Sequence, residues 1–304
     1  MILPVFLTLA LAAQPVPGAA AGEADCSPSQ APRYEAQRAL MGTLFRVVVR
    51  SDQDPSQIRA AMEQALDLGR ELEQTFSDYQ PSSEVNSLAQ SGGGTPSPDV
   101  LHLLERSTQL HHETGGAFDV AQGHLTRLWR RAERRQQAPD EEALSRAAAQ
   151  SGMHLVHLQT GDELLLKNGV RLDFGGIAKG YAADRLLELL ERAGLSEALI
   201  DAGGDLRIGA GGWAVSVDGV ARVECHSAIA SSGGRWQQVS GMYAHIVDPA
   251  TGKGVAPNRS VTVRARDATT ADALATAFSV MPPSEARSLA AHLNVELTIT
   301  RHDP

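Results

Sequence analysis

The sequence is poor in cysteine, in positive charge and, beyond its first residues, in long apolar stretches. Two cysteines among 304 residues, Cys26 and Cys225, are too few for the usual structural zinc site, and their separation leaves open whether they pair. The 27 basic residues are outnumbered by 36 acidic ones, which gives a formal net charge of −9. The main basic cluster, residues 127–135, is interpreted as a solvated surface helix. The sequence therefore predicts no nucleic-acid partner.

The N-terminal residues combine an apolar stretch with helix-breaking and small residues. Residues 2–13 are apolar but too few to span a bilayer, and Pro15 and Pro17 precede the small residues Ala19–Ala21. This order predicts a signal peptide over residues 1–21, with a buried N-terminal helix as the alternative. We therefore expect an exported, periplasmic protein with no stable membrane span.

The remaining chain mixes strands and helices without a regular strand–helix–strand repeat. A flexible leader is expected over residues 22–37 and a single domain over 38–304. β-branched residues predict a strand over 43–51, and apolar residues at helical spacing predict an amphipathic helix over 56–76. The order of elements favours an α+β fold, with mixed sheets and flanking helices, over a doubly wound Rossmann sheet.

The stretch DFGGIAKGYAAD, residues 173–184, has the features of a phosphate site. Gly175 and Gly176 follow a predicted strand, where the backbone can approach a ligand without a Cβ in the way. The helix that begins near Ile177 offers free N–H groups and a partial positive charge, to which Lys179 adds a full charge. The spacing is neither a Walker A loop nor the glycine motif of dinucleotide-binding folds. Glycines before a helix also serve packing alone, so this stretch leaves both interpretations open.

Two further stretches carry groups suited to the same chemistry. In TTADALATAF, residues 269–278, Asp272 and Thr276 are four apart and share one helix face. A carboxylate with a hydroxyl suits Mg²⁺, although a surface Asp beside a backbone-bonded Thr is the commoner arrangement. In HIVDPATGKG, residues 245–254, His245 precedes a turn, either as a proton acceptor or as a structural residue.

In this order and spacing, the chain resembles the ApbE family of FAD:protein FMN transferases. The resemblance runs from Met41 to about Phe278, and the pairing of GIAKGYA with ADALATA is highly specific. The matching stretches are MGT, FSDYQPSSEVN, GAFDV, DFGGIAKGYAAD, IDAGGD, ASSGG, HIVDPATGKG and ADALATA.

The resemblance implies an α+β enzyme with its flavin site in a cleft between two subdomains. A threonine of an exported acceptor flavoprotein would attack FAD, the substrate, and FMN would be transferred with release of AMP. Mg²⁺ would be held by the backbone carbonyl of Gly176 and the side chains of Asp272 and Thr276. Lys179 would neutralise phosphate charge, and His245 would be the base. The FAD site would comprise Met41, Asp78, Tyr79, Gln80, Ala117, Phe118, Asp119, Asp173 and Lys179.

Two features of the expected flavin site concern its rings and its charge. Tyr79 and Phe118 would offer ring faces to the isoalloxazine or the adenine. The chain departs from the family pattern at Asp78, where Thr is usual, and over residues 120–124. A further negative charge at Asp78 would weaken the binding of an anionic ligand.

Two alternatives to transfer remain open from the sequence. Water in place of threonine would make the protein an FAD pyrophosphatase that yields FMN and AMP. A protein that only binds flavin would serve as an accessory of an exported electron-transfer complex. The metal pair favours an enzyme, because a carrier has little need of it.

Overall fold

The computed structural model describes residues 26–301 apart from 218, 234–237, 240–242, 245 and 256–257. The expected signal peptide, the start of the expected leader and His245 lie outside the described residues. The α-helices are α1 Pro55–Phe76, α2 Glu84–Ser91, α3 Pro98–Glu113, α4 Gly123–Arg135, α5 Glu141–Ala148, α6 Ala178–Arg192, α7 Ala268–Val280 and α8 Pro283–His292. The strands are β1 Arg33–Leu40, β2 Thr43–Arg50, β3 Gly93–Gly94, β4 Val156–Leu158, β5 Leu164–Leu166, β6 Ala198–Ala202, β7 Leu206–Ile208, β8 Trp213–Val217, β9 Val220–Glu224, β10 Ser227–Gly233, β11 Gln238–Val239, β12 Tyr243–Ala244, β13 Arg259–Ala265 and β14 Glu296–Arg301.

A seven-stranded sheet organises the fold. Its strand order is β1-β2-β6-β7-β10-β13-β14, and each neighbouring pair is antiparallel. β8 and β9 form a separate hairpin, and β3, β5 and β4 form a small second sheet. This arrangement agrees with the predicted α+β class, because neighbouring strands are not joined by the parallel crossovers of a Rossmann sheet.

The central sheet is covered on both faces, as β2 illustrates. Side chains alternate between the faces of a strand, so Val47 and Val49 enter the main core whereas Val48 faces the opposite side. There Val48 packs in a smaller cluster with Trp213 of β8 and Ile229 of β10. Burial on both faces explains why β2 reads as a continuous apolar run.

Helices α1, α6 and α7 pack against the main-core face of the sheet. α6 and α7 approach each other closely at Gly180, where an added Cβ would lie 2.1 Å from the carbonyl oxygen of Ala268. Only glycine permits this contact. The contact brings Lys179, the preceding residue of α6, beside Asp272 of α7.

The N-terminal segment differs from the flexible leader expected over residues 22–37. Residues 33–37 belong to β1, which pairs with β2 along its whole length. Cys26 forms a disulfide with Cys225, with the two Cα atoms 5.5 Å apart. The expectation was wrong for this part because β1 alternates polar with half-buried residues at a sheet edge, a pattern that resembles a loop in sequence.

A helix that crosses a bilayer must be both long and apolar. Among the described parts of residues 26–301, no helix combines enough length with enough apolar character to do so. The N-terminal apolar stretch is outside this comparison.

Candidate functional site

The site is built around the turn between residue 173 and the first turn of α6. Asp173 Oδ1 accepts a hydrogen bond from the Gly175 N–H at 2.8 Å, and Ala178 N–H donates to the Phe174 carbonyl at 2.8 Å. Ile177, which precedes α6, provides no side-chain cap. The N-terminal end of the helix, which carries a partial positive charge, therefore lies at this turn, where it favours anions.

Lys179 lies in this first turn between two carboxylates. Its Nζ is 2.6 Å from Asp205 Oδ2 and 3.2 Å from both oxygens of Asp272. Asp272 also accepts the Gly180 N–H at 3.1 Å, so α7 is bonded directly to the start of α6. Both carboxylates are buried, and the arrangement retains one excess negative charge.

Burial controls the ionisation of this cluster. Burial raises the pKa of Asp272 to about 6, although the charge of Lys179 opposes the rise. Burial alone would lower the pKa of Lys179, but Asp272 and Asp205 raise it above its ordinary value. Lys179 is therefore a permanent cation at neutral pH and is unsuited to accepting a proton.

The three predicted metal ligands lie close together. A Cβ placed on Gly176 would be 3.0 Å from Thr276 Oγ1, so the backbone of Gly176 faces that hydroxyl. Asp272 is one turn before Thr276 on α7. Within the described part of the chain no three His, Cys, Asp or Glu side chains form a metal cluster. One carboxylate, a hydroxyl and a carbonyl nevertheless suit Mg²⁺, which prefers oxygen ligands and retains water.

Asp205 is a site residue that the sequence did not reveal. It is the last residue of the IDAGGD stretch and lies between β6 and β7, where the two glycines before it suggest only a turn. Besides Lys179 it accepts the Ser231 N–H at 3.1 Å and thereby connects the ASSGG stretch of β10 to the site. Its buried position is set by contacts between distant segments.

A second cation, Arg130 of α4, lies beside the other end of the turn. Its guanidinium donates to the carboxylates of Asp78 and Asp173, and it lies over the Tyr79 ring at 4.6 Å from the ring centroid. Burial and the neighbouring Asp173 raise the pKa of Asp78, and the charge of Arg130 opposes this rise. The charge at Asp78 that was expected to weaken ligand binding is therefore paired.

Two more arginines lie near this cluster. Arg127 donates to the Asp78 carbonyl and to Asn86 Oδ1, and Arg171 donates to the same Asn86 oxygen. The basic residues 127–135 were interpreted as a solvated surface helix. That interpretation was wrong for Arg127 and Arg130, which face the site, whereas Arg131 of the same helix is exposed.

The GAFDV stretch lies next to the same turn through backbone contacts. The Asp173 N–H donates to the Val120 carbonyl at 2.7 Å. Ala117 and Asp119 line an open cavity of about 610 Å³. Phe118 is only 3 % exposed, so the expectation that it offers a ring face to a ligand was wrong. Its neighbour Asp119 accepts backbone N–H groups of Ala121 and Met153 and shapes the loop.

The remaining predicted FAD residues, Met41 and Gln80, form backbone hydrogen bonds that fix loops near the site. Met41 occupies the β1–β2 turn with a φ of 51°, and its N–H donates to Glu73 Oε1 at 2.7 Å. The Gln80 carbonyl accepts the Asn86 amide at 2.8 Å. These contacts fix the backbone, while the structure gives no direct link between Met41 or Gln80 and Lys179.

The loop that follows His245 is attached to α4. Trp129 donates through Nε1 to the Gly252 carbonyl at 2.8 Å, and Val247 packs with Leu125 and Trp129. Residues 246–255 therefore lie beside the helix that carries Arg130. The role of His245 itself stays a prediction, because this residue lies outside the described part of the chain.

Comparison with known proteins assigns the family. The ApbE family model matches residues 41–299. The FAD:protein FMN transferase of Treponema pallidum is 31% identical, and the match covers 82% of this chain and 78% of the relative. The FAD:protein FMN transferase of Klebsiella pneumoniae is 29% identical, covering 82% and 79%. The chain belongs to the ApbE family.

Solved structures agree with this assignment. The crystal structure of the ApbE protein of Thermotoga maritima has a TM-score of 0.78 at 29% identity and covers 90% of this chain and 97% of that one. The flavin transferase ApbE of Vibrio cholerae has a TM-score of 0.77 at 24% identity, covering 89% and 94%, which supports the fold. The predicted α+β, ApbE-like fold is confirmed.

Proposed function

We propose that this protein is a Mg²⁺-dependent FAD:protein FMN transferase. It would move FMN from FAD to a threonine hydroxyl of an acceptor protein and release AMP. The main support is that two stretches distant in sequence lie close together at the N-terminal, positive end of α6. Their residues are Gly176 and Lys179 from one stretch and Asp272 and Thr276 from the other. Relatives that match about four fifths of the chain carry this activity in their names, which supports the proposal.

The oxygen donors beside α6 fit a magnesium ion. The Gly176 carbonyl, the Asp272 carboxylate and the Thr276 hydroxyl would hold it. Bound Mg²⁺ would neutralise charge on the phosphate oxygens of FAD. The excess negative charge around Lys179 favours a divalent cation, and the rest of a magnesium coordination shell would be water and substrate oxygens.

The side chains of the site would divide the work of the transfer. Lys179 and the partial positive charge at the start of α6 would stabilise the charge of the pyrophosphate without exchanging protons. The threonine oxygen would form a bond to the phosphorus of the FMN half, and the bridging bond from that phosphorus to the AMP half would break. The hydroxyl proton would pass to His245, and AMP would leave with the bridging oxygen.

Export from the cytoplasm is part of the same proposal. The N-terminal sequence supports a signal peptide, and the Cys26–Cys225 disulfide is of the kind that persists in oxidising compartments such as the periplasm. Because the pyrophosphate of FAD supplies the energy of the transfer, the reaction would need no ATP there.

The test is incubation of the purified protein with FAD, MgCl₂ and an exported flavoprotein that presents a threonine. A matched acceptor with that threonine replaced by alanine is the control. Mass spectrometry should show one FMN added to the threonine acceptor and AMP released in equal amount. Free FMN and AMP with either acceptor would instead indicate a pyrophosphatase, and intact bound FAD would indicate a carrier.

A further inference from the structure

The ring of Tyr79 is unusual among the aromatic side chains of the site because it is 69 % exposed. Phe76, Phe118 and Phe174 nearby are buried and offer no ring face. One face of Tyr79 is covered by the Arg130 guanidinium at 4.6 Å from the ring centroid. Because most of the side chain is exposed, the rest of the ring surface is accessible to a ligand.

Arg130 is itself held rigidly. Its two terminal nitrogens donate to different carboxylates, Nη1 to Asp78 and Nη2 to Asp173. Its side chain is 19 % exposed and those of both carboxylates are below 10 %. A guanidinium fixed by two carboxylates has a fixed position, so it offers the Tyr79 ring a cation at a defined place.

The same contacts connect this plane to the phosphate site. Asp173, which binds Arg130, also accepts the N–H of Gly175 at 2.8 Å. Arg130 Nη2 would lie 3.9 Å from a Cβ placed on Gly175. A ligand whose phosphates lie at α6 would therefore have a ring within reach of Tyr79.

We propose that Arg130 is a positioning residue which, with Asp78, sets the plane of Tyr79 as a stacking platform for one planar ring of the dinucleotide. This inference rests on the proposed function and names Arg130, which lies outside the matched motifs, as a determinant of ligand recognition. It also explains the Asp78 departure, because Asp78 anchors one side of Arg130. Stacking of a ring on Tyr79 gains from the cation on the opposite face.

The platform predicts selective loss of binding when the charge of Arg130 is removed. In Arg130→Gln, we expect binding of the half-ligand that carries the stacked ring to weaken about fivefold to tenfold, with the other half-ligand changed less than about twofold. The half-ligands are FMN for the isoalloxazine side and ADP for the adenine side, and calorimetry measures each. Arg131→Gln, on the exposed face of the same helix, should bind both like the wild type.

A double-mutant cycle separates positioning from a general charge effect. Once Tyr79→Ala has removed the ring, adding Arg130→Gln should cause no further loss for the stacked half-ligand. Arg130→Lys keeps the charge between the two carboxylates and should fold even where Arg130→Gln does not. It lacks the planar fork and should show a smaller loss of the same selectivity.

Three results would overturn the platform: equal weakening of FMN and ADP, no weakening of either, or an undiminished effect of Arg130→Gln in the Tyr79→Ala protein. If these occur while the wild type still binds FAD and transfers FMN, the inference alone fails. If the wild type binds none of FAD, FMN and ADP, the proposed function fails with it.

Discussion

Two half-buried cations flank the turn before α6, and each is held by two carboxylates. Lys179 lies between Asp205 and Asp272, and Arg130 lies between Asp78 and Asp173. Their surroundings differ. Beside the lysine cluster, the backbone of Gly176 approaches the hydroxyl of Thr276, whereas the arginine cluster has two further cations, Arg127 and Arg171, at Asp78 and Asn86.

Under the proposed function, the two clusters would have complementary roles. The lysine cluster has an excess of negative charge and oxygen donors, which suits a divalent metal ion. The arginine cluster has an excess of positive charge and an exposed aromatic ring, which suits the anionic and planar parts of a dinucleotide. A site for FAD with Mg²⁺ needs both.

The largest effect is expected from removal of the carboxylate in the lysine cluster. Asp272→Ala deletes the only charged ligand proposed for the metal, and we expect the rate of FMN transfer to fall at least about 100-fold. Excess EDTA should abolish transfer by the wild type, and MgCl₂ should restore it. Asp52→Ala, at an exposed position, is the matched control. Wild-type activity in EDTA would contradict a metal role for Asp272.

Loss of the lysine charge should destabilise the fold. Lys179→Met would leave two buried carboxylates facing each other, and we expect the free energy of unfolding to decrease by about 3 kcal/mol. Urea unfolding at pH 7 measures the change, with the exposed Lys167→Met as control. Equal stability of the two variants would mean that water already screens the charges of Asp205 and Asp272 from each other.

A smaller effect concerns pH and the magnesium requirement. Burial raises the pKa of Asp272 to about 6, so below this pH a proton competes with Mg²⁺ for the carboxylate. We expect the half-saturating Mg²⁺ concentration to rise about tenfold between pH 7 and pH 5, and to change little above pH 7. Titrations of transfer rate against Mg²⁺ at each pH measure it. A constant requirement across this range would show that Asp272 is not a ligand.

The lysine cluster was largely predictable from sequence because its residues lie in stretches with local signals. Glycines before a helix mark Gly176 and Lys179, and a spacing of four marks Asp272 and Thr276. Asp205 escaped prediction because its importance depends on a lysine 26 residues away that meets it only in the folded chain.

The arginine cluster was not predictable in the same way. Arg130 pairs with Asp78, 52 residues away, and with Asp173, 43 residues away. In sequence it is one of several basic residues on a short helix, and nothing local separates it from the exposed Arg131. β1 was missed for a related reason, since an edge strand with alternating polar residues gains its order from pairing with β2.

The central claim is that Gly176, Asp272, Thr276 and the start of α6 hold a metal and the pyrophosphate of FAD together. A crystal structure of the protein with FAD and Mn²⁺ as an anomalous substitute for Mg²⁺ tests it most directly. The account predicts an anomalous peak for Mn²⁺ within coordination distance of Asp272 and Thr276, with the pyrophosphate of FAD next to Lys179. FAD bound with its pyrophosphate elsewhere, or a metal peak away from these residues, would contradict it.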